Sequence, residues 1–455
     1  MSKSLFTDFE QVTAKSWKQK IQADLKGLDY NDTLVWQSLE GIDVKPFYHS
    51  ESLDNNFASC ESKSSNWNIC QTIFVTNETE ANQKALNAIN KGAESLKFVI
   101  TKAHISLVSL LSNIDTAIPL YFELQFLSSE FVTTLNDYAV NNNTTFYLFN
   151  DIIGNLAKSG NWYSNLKQDY EQLEQIVNNT SALKNKLSID VSLYQNAGAN
   201  ITQQLAYALA QANEYLNHFN GAIGNEIVFN VTVGTNYFFE IAKLKALRIL
   251  WNSLAQEYNC KATCHIITTP SKRNKTIYDY NTNMLRTTTE CMSAILGGAD
   301  TIDNLPYDAI FHKDNEFGER ISRNQLLILK NESYLNKVSN PTDGAYYIEN
   351  LTHQLAEKAL ELFKDIERQG GLLAQLKEGT IQRKIKEAAQ KEQQLFDDGK
   401  EVLLGTNKHP NPNDKMKNDL ELYPFVKTNP RKTLIEPIIE RRLAETMEQN
   451  RLGHE

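Results

Sequence analysis

The stretch Glu226-Ile227-Val228-Phe229-Asn230-Val231-Thr232-Val233, together with the helical pattern after it, decides the fold. Apolar residues occupy both faces of this run, which is typical of a parallel strand covered by helices. Downstream, apolar residues recur at spacings of three and four and predict a helix with one apolar stripe, formed by Ile241, Leu244, Leu247, Trp251 and Leu254. A buried strand followed by an amphipathic helix is the β–α unit of an α/β protein.

The same unit recurs between residues 69 and 303. Runs of β-branched and aromatic residues predict strands at residues 69–75, 95–100, 118–126, 144–149, 187–194, 226–233, 260–267 and 300–304. Each run is followed by a stretch long enough for a helix. A TIM barrel typically takes about 250 residues, so eight such units favour a (β/α)₈ barrel over an open doubly wound sheet.

The composition divides the chain into three parts. Residues 1–65 form an irregular arm, 66–345 the barrel, and 346–455 a helical extension. In the extension, apolar spacing predicts one helix ended by Gly370-Gly371 and a second from Thr380 to Gly399, while residues 438–449 could form a last helix. A helix is also possible in the arm, where Trp17, Ile21 and Leu25 recur every four residues after Thr13, a possible N-cap.

Composition and charge exclude several classes of protein. Of 455 residues, 41% are hydrophobic and 22% charged, as in ordinary globular proteins. A net charge of −9 without a basic cluster argues against nucleic-acid binding. No apolar run approaches the roughly 18 residues of a membrane helix. The start, Met1 to Asp8, lacks the apolar core of a secretory signal, and five scattered cysteines favour a reduced, cytoplasmic protein.

Few residues suggest chemistry by themselves. Cys260, Cys264 and His265 could begin a metal site, but no second ligand pair follows, so core side chains are the favoured interpretation. His265 ends a predicted strand, where barrel active sites gather, although a purely structural histidine is the alternative. Asp303 and Asp308 could supply carboxylates at a strand end. Gly297-Gly298 favours a helix C-cap over a phosphate loop.

Several motifs carry a family resemblance. Residues 280–298 (YNTNMLRTTTECMSAILGG) resemble the P-Y-N-N-x-x-R-T-x-x-E-x-M-x-A-x-x-G-G segment of the adenosylcobalamin-dependent acyl-CoA mutases. Residues 239–251 (FEIAKLKALRILW) are similar to their M-E-I-A-K-x-R-A-x-R-x-L-W helix, and further matches lie at residues 320–325, 340–347 and 367–371. The likeness extends over most of the chain, from about residue 40 to residue 407, and is specific to methylmalonyl-CoA mutase.

The chain departs from the catalytic members at three polar sites. Their S-G-Y-H-x-x-E-A-G-A segment carries a His that is taken to bond the substrate thioester, and alignment on 197–199 places Leu193 there, with Ser192 and Asn196 at the Tyr and Glu. Their R-G-x-Y-x-T-M loop has no counterpart near residues 69–72. Their H-T-N appears as Asp303-Asn304-Leu305. The resemblance therefore implies the fold, with no catalytic or cofactor-binding residue and no metal ligand in this chain.

The cobalamin-binding half of the family also has no counterpart in this sequence. That doubly wound domain bears D-x-H-x-x-G, and none of the eight histidines here has Asp two residues before it. The resemblance thus implies a non-catalytic small subunit in a heterodimer, whose large (alpha) subunit carries adenosylcobalamin and interconverts succinyl-CoA and (R)-methylmalonyl-CoA. The alternative is a self-sufficient acyl-CoA isomerase or lyase with a repurposed pocket that uses Cys264, His265 or Asp303.

The arm is the expected contact with the large subunit. Large apolar side chains are too frequent in it for a free tail, although packing of the arm on this chain's own barrel would also bury them. They are Phe6, Phe9, Trp17, Ile21, Leu25, Leu28, Tyr30 and Trp36.

Overall fold

A computed structural model describes residues 12–52, 65–427 and 430–455. The N-terminal segment from Met1 to Asp8, the arm residues Phe6 and Phe9, and Cys60 lie outside the described residues.

Eight parallel strands form the barrel, and the predicted (β/α)₈ fold is confirmed. Around the barrel the hydrogen-bonded order is β4-β3-β2-β1-β8-β7-β6-β5. The strands are β1 (Asn68–Val75), β2 (Ser95–Ile100), β3 (Leu120–Leu124), β4 (Phe146–Phe149), β5 (Asn185–Asp190), β6 (Glu226–Val233), β7 (Thr263–Pro270) and β8 (Thr301–Asp303).

Side chains close the barrel at the seam between β4 and β5. The buried Asn185 accepts a hydrogen bond from the Leu148 N–H at 2.9 Å and donates to the Leu148 carbonyl at 2.7 Å. Ser188 Oγ accepts from the Asn150 N–H at 2.8 Å, and the Ser188 N–H donates to the Asn150 carbonyl at 3.0 Å. Asn185 therefore satisfies backbone groups that a regular ladder would otherwise pair.

Helices surround the barrel and continue beyond it. The arm contains α1 (Ala14–Asp24) and α2 (Tyr30–Leu34). The ring contains α3 (Glu78–Asn90), α4 (Leu107–Leu110), α5 (Ser129–Asn142), α6 (Ile152–Ser159), α7 (Leu166–Asn179), α8 (Ser192–Asn196), α9 (Ile201–Phe219), α10 (Tyr237–Glu257), α11 (Thr282–Leu296) and α12 (Glu316–Leu327). A short π-helical turn follows at Ile328–Glu332. The extension contains α13 (Tyr346–Arg368), α14 (Gly371–Lys377), α15 (Thr380–Asp397) and α16 (Glu445–Gly453).

Alternation along the strands separates an inner from an outer core. Outward side chains pack under the helices, whereas one inner cluster contains Cys70, Tyr121, Tyr147, Val228 and Ile267. The Tyr121 and Tyr147 rings stack with centroids 4.7 Å apart. The axis of the barrel is therefore filled with packed side chains, as in other barrels of this size.

Helix α10 is buried on nearly every side because α13 covers its outer face. Charged residues of α10 remain paired there: Lys245 Nζ lies 2.9 Å from Asp343 and 2.8 Å from Glu349, and Arg248 lies 2.7 Å from Asp300. Burial of these charges is tolerated only with such partners. The predicted helices of the extension are confirmed at α13 and α15, and Gly370 and Gly371 adopt positive φ angles after α13.

The arm contains regular structure, so its prediction as irregular was wrong. Two short antiparallel strands, Trp36–Gln37 and Asp43–Val44, form a hairpin that buries Ile42 and Val44 in the outer core. Helix α1 has the predicted N-cap, because Thr13 Oγ1 accepts from the Ser16 N–H at 3.1 Å. Helix α1 nevertheless has no buried residue. The hairpin therefore packs on this chain's own barrel, whereas the apolar stripe of α1 (Trp17, Ile21 and Leu25) stays partly exposed.

Three predicted boundaries were wrong because other interactions use the same residues. The strand predicted at 187–194 ends at Asp190, since α8 begins two residues later. The strand predicted at 260–267 starts at Thr263, because the Cys260 N–H bonds to the Ala255 carbonyl in capping α10. Residues 438–444 are not helical, since backbone N–H groups there bond to the helices and loops of the barrel, as from Ile438 to the Ala157 carbonyl of α6.

Candidate functional site at the mouth of the barrel

A polar cavity of about 350 Å³ opens at the C-terminal ends of the strands, here called the mouth. Its volume lies at the lower end of the range for small-molecule pockets, about 300–1,000 Å³. The strands contribute polar side chains to its lining, among them Thr72, Lys97, Glu123, Asp190, Asn230 and Asp303. Barrel enzymes place their chemistry at this face, so the mouth is the candidate site.

An ion pair occupies the centre of the mouth. Lys97 Nζ lies 2.7 Å from Asp303 Oδ2 and 3.9 Å from Glu123 Oε2, and Thr72 Oγ1 donates to Asp303 Oδ2 at 2.6 Å. Burial by itself would lower the pKa of Lys97, but the carboxylates of Asp303 and Glu123 outweigh it and hold that pKa above its ordinary value. Lys97 and Asp303 therefore compensate each other's charge, and Asp303 Oδ2 also accepts the bond from Thr72.

The positions implied by the resemblance separate at the end of β5. Ser192 and Asn196 line the mouth, whereas Leu193 is 1% exposed and packs in the outer apolar core. The Ser192 hydroxyl donates to Asp190. Asn196 Oδ1 accepts from Ser271 Oγ at 3.0 Å and is committed to a neighbouring loop. None of these contacts leaves a polar group at the position of the family's histidine.

His265 lies at the opposite end of the barrel from the mouth, so its predicted location was wrong. Because β7 begins at Thr263, His265 is the third residue of the strand and lies near its N-terminal end. Its Nε2 lies 2.9 Å from the Tyr121 hydroxyl, and its ring stacks on Tyr147 with centroids 4.6 Å apart. This histidine helps to fill the axis, in keeping with the structural alternative.

The structure does not bring Cys264, His265 and Asp303 together. Cys264 belongs to the outer core, His265 to the N-terminal end of the axis and Asp303 to the mouth. Among residues 12–52, 65–427 and 430–455, no three His, Cys, Asp or Glu side chains converge as a metal site. Asp308 is likewise engaged, with His312 Nδ1 at 3.2 Å and Asn315 Nδ2 at 2.8 Å.

The glycine pair after α11 belongs to a helix terminus. Gly298 has a φ of 83°, and its N–H bonds to the Ile295 carbonyl at 3.0 Å. Its own carbonyl accepts from Arg248 at 2.6 Å. These contacts agree with a C-cap.

Sequence reasoning missed Lys97 and His312. A signal for Lys97 existed, since it is the single charge in the apolar run Ser95–Ile100 and occupies an inward position. His312 lies in an irregular loop, and its contact with the Asp419 carbonyl at 3.1 Å joins distant segments. No local pattern indicates that contact.

No helix in the described part of the chain is long and apolar enough to span a membrane.

Comparison with known proteins identifies the family. A family profile described as methylmalonyl-CoA mutase matches residues 131–450. The methylmalonyl-CoA mutase small subunit of Porphyromonas gingivalis is 35% identical over 451 residues, which cover 90% of this chain and 71% of the relative. The methylmalonyl-CoA mutase small subunit of Streptomyces virginiae is 26% identical, with 90% and 72% covered. Among solved structures, a dihydropteroate synthase from Thermus thermophilus is similar over 61% of this chain and 96% of its own chain, with 10% sequence identity and a TM-score of 0.31. The assignment of the barrel fold rests on the order of the strands and not on this similarity. The chain therefore belongs to the methylmalonyl-CoA mutase family.

Proposed function

We propose that this chain is the non-catalytic small subunit of a heterodimeric, adenosylcobalamin-dependent methylmalonyl-CoA mutase. A longer catalytic subunit interconverts succinyl-CoA and (R)-methylmalonyl-CoA, and this chain supports it structurally. The observation that carries the proposal is Leu193. It stands where the resemblance implies a thioester-bonding His, it can neither donate nor accept a hydrogen bond, and it is buried in apolar core.

The mouth supports the same proposal. Its central groups, Lys97 and Asp303, compensate each other's charge, and Thr72 donates a hydrogen bond to the same carboxylate oxygen. Catalysis by preorganised charge needs groups aimed at a reacting atom. Here those groups are aimed at one another. The alternative of a self-sufficient isomerase or lyase gains no support, because its three candidate residues lie in separate places.

This sequence does not fit an adenosylcobalamin site of the family's kind. The family takes its lower axial ligand from the His of D-x-H-x-x-G, and none of the eight histidines here has Asp two residues before it. His312, which lines the mouth, makes structural contacts instead, through Nδ1 to Asp308 and through Nε2 to the Asp419 carbonyl. We therefore assign the cofactor to the large subunit. The cysteine usage supports a reducing compartment, and we place the complex in the cytoplasm.

The arm supports the assignment of a large-subunit partner. Helix α1 contacts other arm residues, with Trp17 stacked on Phe47 at 4.3 Å and Lys18 over Tyr30 at 4.6 Å. Helices of this length are marginal in water unless an apolar face is packed. A stripe left partly exposed on such a helix suits a subunit contact, and we infer that α1 packs on the large subunit.

The function is tested by turnover assays on separate and combined subunits. We expect no succinyl-CoA from this chain alone when it is supplied with adenosylcobalamin and methylmalonyl-CoA, and turnover from the complex with the large subunit. Complexes that carry Ser192→Ala in this chain should keep their turnover within about twofold, because the mouth has no part in the chemistry. Succinyl-CoA formation by the isolated chain would contradict the proposal.

The arm is tested by truncation. Deletion of residues 1–28 removes α1 and keeps the hairpin, whose Ile42 and Val44 belong to the core. We expect the truncated chain to fold and to bind the large subunit more weakly. Binding at full-length affinity would show that α1 is not an interface element.

A further inference from the structure

An exposed aromatic face joins the arm to α10 of the barrel and α13 of the extension. It consists of Trp36, Tyr48, Phe238, Tyr346 and Tyr347. Phe238 packs 5.4 Å from Tyr347, and Tyr347 packs 5.1 Å from Tyr48. Trp36 meets the buried Phe239 edge-on at 5.7 Å. Trp36, Phe238 and Tyr346 are among the large exposed side chains of the molecule.

The positions of these rings leave part of each uncovered. Phe238 and Tyr346 stand in the first turns of α10 and α13, and nearby residues of the same turns, Phe239 and Ile348, point inward and are buried. Phe238, Tyr347 and Tyr48 pack against one another in a row, Trp36 packs on Phe239, the next residue after Phe238, and Tyr346 precedes Tyr347 in the same turn. Contiguous exposed apolar area of this kind marks an interaction surface in soluble proteins.

A cleft of about 810 Å³ adjoins the face. Trp36 lines it together with Tyr30 and Phe47, and so do the charged residues Lys15, Lys18, Asp32 and Lys45. Protein–protein interfaces combine aromatic residues, which are enriched at their centres, with polar and charged residues around them. Trp and Tyr are also the residues enriched where interfaces carry most of their binding energy.

We propose that the aromatic face docks the longer mutase subunit, so that α10 of the barrel and α13 of the extension, and not the arm alone, form the centre of the interface. The inference rests on the proposed function and adds the place of contact. Relatives aligned with 90% of this chain are named small subunits, which makes a larger subunit of the same enzyme the occupant. The partly exposed apolar stripe of α1 lies next to this face, and the same large subunit would bury it.

A matched pair of substitutions tests the proposal. Phe238 and Phe317 are both 48% exposed, and each lies in the first turn of a helix and contacts a tyrosine ring. Phe238 contacts Tyr347 of the aromatic face, whereas Phe317 contacts Tyr307, which is not part of it. Full-length wild type, Phe238→Ala, Tyr346→Ala and Phe317→Ala are each titrated against the purified large subunit from the same organism. A truncation of about 2 kcal/mol at an interface centre corresponds to a roughly 30-fold weaker Kd.

We expect Phe238→Ala to weaken binding roughly 30-fold, Tyr346→Ala to weaken it at least about fivefold, and Phe317→Ala to stay within about twofold. Hydrogen exchange on the wild-type complex should slow at residues 237–240 and 346–349, a readout that needs no variant to fold. Equal affinities for Phe238→Ala and Phe317→Ala, with unchanged exchange there, would overturn the proposal. A wild-type chain that forms no complex refutes the proposed function as well, and a self-dimer dissolved by Phe238→Ala would replace the large subunit by a second copy.

Discussion

Substitution of Asn185 by Ala should open the barrel at its side-chain-mediated seam. Asn185 is completely buried at the start of β5 and makes three hydrogen bonds. It accepts from the Leu148 N–H at 2.9 Å and donates to the carbonyls of Leu148 and Leu187 at 2.7 and 2.8 Å. The alanine side chain can replace none of these bonds, so the backbone groups of Leu148 lose their partner.

The cost is worked out from this count of bonds. Each hydrogen bond contributes about 1 kcal/mol net, and a buried group left without a partner costs about 1–3 kcal/mol. We therefore expect Asn185→Ala to lower the free energy of unfolding by about 3–5 kcal/mol. With an unfolding entropy of about 2.1 cal/mol/K per residue over this chain, each kcal/mol shifts the Tm by roughly 1 °C, so the Tm should fall by about 3–5 °C.

Calorimetry and amide exchange together test the reasoning. Asn82→Ala is the control, since the amide of Asn82 donates to the carbonyls of Leu110 and Ser112, on the outer side of the barrel. Both variants should lower the Tm, but only Asn185→Ala should speed exchange of the Leu148 amide beyond the global unfolding rate. A Tm within about 1 °C of wild type, or an unchanged Leu148 amide, would refute the role assigned to Asn185.

Two other perturbations have defined outcomes. Burial raises the pKa of Asp151 to about 6, despite donors such as the Tyr215 hydroxyl, so the stability it contributes is complete only well below pH 4 and is lost as the pH rises through 6. Relative to Asp151→Asn, whose side chain does not titrate, wild type should lose about 2–3 kcal/mol between pH 4 and 7, and urea midpoints that run parallel with pH would contradict this. Lys97→Met leaves Asp303 buried without its cation and should lower the free energy of unfolding by about 3–5 kcal/mol. Combining Lys97→Met with Asp303→Asn should restore more than half of that loss, and a double variant no more stable than the single one would argue against the ion pair.

Local sequence pattern determined the elements of this fold. Apolar periods of two and of three to four residues located all eight barrel strands and the long helices α9, α10, α13 and α15. The residues that cap the helices could also be predicted from local sequence: Thr13 is the N-cap of α1, and Gly370 follows α13 in a conformation that suits glycine. Motifs along α10 and α11 pointed to the family, because helices that pack in the same way keep the same apolar spacing.

Only the tertiary structure decided where polar groups meet. Lys97 and Asp303 come from strands that are far apart in the sequence, and β1 between them brings their ends to one mouth. His265 was assigned to the wrong end of the barrel, because a helix cap that uses Cys260 displaces the strand by three residues. Asn185 closes the seam through hydrogen bonds of its side chain, and the spacing of apolar residues in a sequence cannot predict such bonds. Periodicity records which side of an element is apolar, whereas ion pairs, seams and exposed faces depend on which elements become neighbours, and that is set by packing over the whole chain.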